Sequence, residues 1–145
     1  MEHVNTFANI PINVISSPQT DGLILAKTLL HEVQAMLKTL LDTGQNGTLD
    51  LRALPTLGAE GYQFLKEKLS LGEVSARIQS FGCSEIQETA YSGIWWVSHY
   101  NQDDDLLTEL IEVTYLPEIL KSPRDDMALS LVNLGKLLNE LAVYK

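Results

Sequence analysis

At 145 residues, 45% hydrophobic and 20% charged, the chain has the composition of a globular domain long enough to bury a core, not that of a disordered or fibrous protein. Ten lysines and arginines against nineteen aspartates and glutamates leave a net charge of −9. That balance repels phosphate backbones and anionic membranes, no local basic cluster overrides it, and nucleic acid and membrane are excluded as expected partners.

Residues 1–19 are expected to form an extended N-terminal arm, with Pro11 and Pro18 limiting any strand there to a short edge segment. A single domain is expected over residues 20–145. Ala26, Leu30, Val33, Leu37 and Leu40 repeat at three- and four-residue spacing, which predicts a long amphipathic helix from Asp21 to Asp42, capped by Thr20 or Asp21 and stopped at Gly44. Tyr62, Leu65 and Leu69 predict a short helix over Gly58–Leu69, weakened by Gly61. Val74, Ala76 and Ile78 then alternate with Glu73, Ser75 and Arg77, the period of a strand with one face buried. The next apolar stretch, Glu85 to Tyr100, reads as one strand whose apolar residues change parity at Gly93, where a bulge or sharp twist is expected. After the turn formers Asn101 to Asp105, Leu107, Ile111 and Val113 continue as a further strand. Ser122-Pro123-Arg124-Asp125 reads as a helix start with Ser122 as cap and Asp125 reaching back, and Met127, Leu131, Leu134, Leu138 and Leu141 as the buried stripe of a last long helix. The expected class is α+β: an antiparallel β-meander of three or more strands, covered on one face by two long amphipathic helices and one short helix.

The longest apolar runs, such as Leu23 to Ala26, are far short of the roughly 20 residues that span a bilayer, and the N-terminus lacks the basic start and apolar core of a signal peptide. One cysteine, Cys83, excludes an internal disulfide, a CxxC pair and a cysteine-only zinc site, in keeping with a reducing cytoplasm. His99 with Asp103, Asp104 and Asp105 could ligate a metal, but an Asn- and Asp-rich turn between strands explains the run without one. Cys83 has no sequence-local base to stabilise a thiolate. No nucleophile elbow or glycine-rich phosphate loop is present, so no catalytic residue and no cofactor are expected. Trp95 and Trp96 carry more information, because neighbouring strand residues face opposite sides and both rings cannot enter one core. One ring therefore needs a helix, the arm or another chain as its partner. Glu73, Glu88 and Glu112 fall on successive predicted strands, to be paired with Arg77 or to form an acidic recognition patch.

The segments LGEVSARI (Leu71 to Ile78), IQETAYSGIWWVSHY (Ile86 to Tyr100) and LIEVTYLPEIL (Leu110 to Leu120) together resemble the conserved C-terminal region of the HupH/HyaF family of hydrogenase expression and formation proteins. The likeness rests on Gly72, Glu73, Val74, Gln87, Glu88, Thr89, Gly93, Trp95, Val97, His99, Glu112, Val113 and Pro117. It implies a non-catalytic accessory protein for maturation of uptake nickel-iron hydrogenases. The implied partner is the iron-sulfur small subunit or a fellow accessory protein. The expected contact surface is Trp95, Trp96, His99, Tyr100, Glu73, Glu88 and Glu112. Longer members carry an upstream half, which raises the expectation of a homodimer. The alternative is a metal or iron-sulfur handling protein using His99, Cys83 and nearby carboxylates.

Overall fold

The computed structural model describes residues 18–144. Pro18–Thr43 forms α1, in which Ala26, Leu29, Val33 and Leu40 are buried along one helical face. Its end falls where the sequence places it: Gly44 takes φ +77° and its N–H donates to the Leu40 carbonyl at 2.8 Å, a left-handed closure that glycine adopts without a Cβ penalty. Of the expected arm, residues 1–17 lie outside the described residues, and Pro18 and Gln19 already belong to α1.

Gly58–Leu69 forms α2, with the expected bounds. It crosses α1 at glycine: a Cβ on Gly61 would stand 2.5 Å from the Gly22 carbonyl oxygen, and one on Gly22 would stand 2.4 Å from that of Leu57. Gly61, a weakness in the helix when read from sequence, is what lets the two backbones touch.

Five strands follow the sequence as β1 (Gly47–Asp50), β2 (Ser75–Gln79), β3 (Cys83–Glu88), β4 (Ile94–Tyr100) and β5 (Leu106–Val113). They form one sheet in the order β1-β5-β4-β3-β2, and every pairing is antiparallel. The α+β antiparallel class therefore holds. The short strand β1, which carries no alternating signal of its own, joins the edge through β5.

The expected single strand from Glu85 to Tyr100 is instead the hairpin β3–β4, with Glu88 opposite Trp95 and Ser84 opposite His99. Gly93 marks the reversal, at φ +87°. The Thr89 hydroxyl accepts from the Tyr91 N–H, and the Thr89 N–H donates to the Ile94 carbonyl at 2.9 Å, closing the turn. The parity change was the chain turning back, not a bulge; the sheet's register shift lies between His99 and Tyr100.

One sheet face packs Leu49, Ile94, Trp96, Ile111 and Val113 against the buried stripes of α1 and α2. The other carries Ile86, Trp95 and Val97, with Ala76, Ile78, Leu110 and Leu120 packed on them.

The last helix, α3, runs from Arg124 to Val143 and departs from expectation twice. Pro123 stands at its N-cap with no side-chain hydrogen bond, so Ser122 does not cap it and Asp125 does not reach back. Its residues are all exposed, with Leu131 at 75% and Leu138 at 58%. The apolar stripe is present, but none of the described residues buries it. Among the described residues, no helix is long and apolar enough to cross a membrane.

Candidate functional site

A polar site lies on the helix-bearing sheet face, beside the C-terminal end of α2. Alternation along the strands puts Trp96, Ser98 and Tyr100 of β4 on this face, and antiparallel register sets Gln87 opposite Trp96 and Glu85 opposite Ser98. With Lys66, Ser70 and Leu71 from the end of α2 and the residues after it, these side chains line a cleft of about 240 Å³.

Behind the cleft stands Glu109 of β5, 4% exposed. One of its carboxylate oxygens, Oε1, accepts from Trp96 Nε1 at 2.6 Å and from the Tyr62 hydroxyl. The Tyr62 and Trp96 rings meet edge to face, with centroids 5.5 Å apart and planes at 85°. Lys66 Nζ lies 5.4 Å from the Tyr62 centroid and 5.2 Å from that of Trp96, within cation–π range. Burial, then the hydrogen bond and charge of Glu109, hold the Tyr62 phenol well above its ordinary pKa. Burial, with the negative charges of Glu85 and Glu109, also raises Tyr100. The arrangement is an aromatic floor with a buried acceptor, the Glu109 carboxylate, behind it and a cation at its lip.

Glu109 and Lys66 were missed in the sequence. The signal for Glu109 was available: it shares strand parity with Ile111 and Val113, so a carboxylate falls in the buried phase and requires donors there.

The expected contact residues are divided by the sheet. Trp95 and Trp96 do face opposite sides, but neither is left outside: they are 4% and 7% exposed, with Trp95 Nε1 donating to the Thr114 carbonyl at 3.1 Å. The premise of an available indole is overturned, because each sheet face has its own covering. Tyr100 is half-buried on the cleft side. His99 faces the other side, where its Nδ1 pairs with the Ser84 hydroxyl at 2.8 Å. Glu88 and Glu112 flank Trp95 on that same side, and burial, partly offset by His99, pushes the Glu112 carboxyl up. Glu73 is exposed ahead of β2. The three glutamates therefore do not occupy successive strands, and they form no single patch.

The metal alternative loses its geometry. Ser84 pairs with His99, so Cys83, one residue earlier, points to the opposite face. Cys83 Sγ is 3.0 Å from Arg77 Nε, which donates to it. The run Asp103 to Asp105 is a turn organised by Asn101, whose side-chain oxygen accepts from the N–H groups of Asp103 and Asp105 at 2.8 and 2.9 Å. Among the described residues, no three His, Cys, Asp or Glu side chains are grouped to hold a metal ion.

Fold and cleft together define an α+β sheet domain, helices on one half of a face and an open polar cleft on the rest. The chain belongs to the family of the HupH hydrogenase expression protein, C-terminal conserved region, whose model matches residues 23–141. It is 30% identical over 109 residues to the hydrogenase expression/formation protein HoxQ of Azotobacter vinelandii, covering 74% of this chain and 38% of that one. Against the hydrogenase expression/formation protein HupH of Rhodobacter capsulatus it is 30% identical over 110 residues, 76% of this chain and 39% of that one. The chain thus spans well under half the length of these relatives. Among solved structures, the hydrogenase expression protein HupH from Thiobacillus denitrificans superimposes with a TM-score of 0.77 at 39% identity, covering 80% of this chain and 96% of that one.

Proposed function

We propose that the protein is a cytoplasmic accessory factor in hydrogenase maturation, acting by binding rather than catalysis, and that its client is a hydrogenase subunit, with the iron-sulfur small subunit first, or a fellow accessory protein. The family match over residues 23–141 carries this reading. The cleft supplies the surface: Lys66, Glu85, Gln87 and Tyr100 surround the Trp96 floor, mixing charge, amide and aromatic groups as protein-recognition surfaces do. Its buried carboxylate is engaged by Tyr62 and Trp96 and serves to hold the floor rigid, a role that favours recognition over proton transfer. Glu88, His99 and Glu112 belong to the far side of the sheet and flank rather than form this contact.

Co-purification with the small subunit tests the surface. Tyr100→Ala combined with Glu85→Lys is expected to reduce recovery of the complex at least tenfold while the circular dichroism spectrum and melting temperature stay near those of the parent. Undiminished recovery from the folded double variant overturns the cleft as the contact.

A further inference from the structure

The helix α3 carries an apolar face that the described residues leave exposed, and the same chain carries a groove of matching length elsewhere. Met127, Leu131, Leu134, Leu138 and Leu141 alternate at four and three residues, and Ala128, Gly135 and Ala142 recur at seven along one margin of that face. With Leu137 on the other margin, the apolar and small side chains sweep about half of the helix circumference at roughly 100° per residue. An arc of that width exceeds the narrow seam of a two-helix coiled coil and fits a helix laid on a folded body.

Such a body surface exists between α1, the end of α2 and the β3–β4 turn. A groove of about 530 Å³ there is floored by Leu30, Val33, Leu37, Leu69, Tyr91 and Ile94. Its α1 wall runs from Lys27 to Leu37, about 15 Å of helix axis, and Leu131 to Leu141 of α3 covers the same length. Among the described residues, the groove rim holds Lys27, His31 and Lys68 and no carboxylate, although acidic residues outnumber basic ones nearly two to one in the chain. The first turn of α3 holds Asp125 and Asp126 beside Arg124, so the end of the helix just before the Leu131–Leu141 segment is net acidic where the groove rim is basic.

The geometry points to a reciprocal homodimer in which α3 of each protomer lies in the α1–α2 groove of a second copy. Two-fold exchange makes every contact twice. Six largely exposed apolar side chains per helix, with the groove surface they cover, bring the buried area to the order of 2,000 Å², the class of stable dimers. The exchange covers the stripe that the chain exposes and leaves the polar cleft open, so it stands independently of the client proposed above.

Light scattering on the full 145-residue chain tests this. A mass twice that of the chain is expected at micromolar concentration. Leu134→Asp with Leu138→Asp, on a helix that contributes nothing to the sheet core, should yield a folded monomer. On the groove side, Tyr91→Asp with Lys68→Glu should raise the dimer dissociation constant at least tenfold. A parent chain that is monomeric at 100 micromolar, with α3 folded back or held for another partner, overturns the proposal. So does a dimer that survives the groove variants, which would assign the contact to α3 pairing with α3.

Discussion

Glu109 links the core to the cleft, and its replacement separates two contributions. Glu109→Ala leaves the Trp96 and Tyr62 donors unpaired in a buried site and is expected to cost about 2–4 kcal/mol. Glu109→Gln keeps an acceptor in place and should cost less than half of that, read from chemical denaturation midpoints followed by tryptophan fluorescence. Equal losses would mean that the carboxylate charge, not the acceptor, matters. Tyr62 gives a pH signature. Its phenol is held above the ordinary value of 10.0, so the folded state keeps this proton more tightly than the unfolded chain does. The stability this contributes is complete below that value and declines as pH rises beyond it. Tyr62→Phe should flatten the loss of stability between pH 9 and 11.5, and an unchanged slope would assign that loss to other groups. Residue parity made part of this site legible in advance. The opposite facing of the two indoles follows from strand alternation alone, but their burial does not, because alternation says which side a ring faces and not what lies over it.

At the scale of elements, the α1–α2 crossing depends on Gly22 and Gly61. Gly61→Ala sets a methyl against the Gly22 carbonyl oxygen, where the ideal position is only 2.5 Å away. The helices must separate, and a loss of about 1–3 kcal/mol is expected, several degrees in melting temperature for a domain of this size. A variant that melts with or above the parent would contradict the close packing, since alanine alone favours the helix. The bounds of α2 and the end of α1 were readable because stripe and stop signal are local. The β3–β4 hairpin was not, since a parity switch at a glycine is the same pattern whether the strand bulges or reverses. What decides is the pairing of Glu88 with Trp95, a contact between residues that the one-dimensional pattern leaves unpaired. β1 was invisible for a similar reason: four residues at an edge take their strand character from β5.

For the whole molecule, the α+β class followed from segment types and short connections, whereas the position of α3 did not. An amphipathic stripe records that a helix must be covered, and carries no record of which chain covers it. On the two proposals above, the protein offers surfaces with different chemistry: an apolar helix that would seat in a groove on a second copy, and a polar, aromatic-floored cleft that would take a client polypeptide. Isothermal titration of the purified hydrogenase small subunit into two variants tests this separation most directly. The monomeric Leu134→Asp/Leu138→Asp chain should bind within threefold of the parent, and the dimeric Tyr100→Ala/Glu85→Lys chain should lose at least tenfold in affinity. Full binding by the cleft variant, or loss of binding by the monomer, would contradict the account.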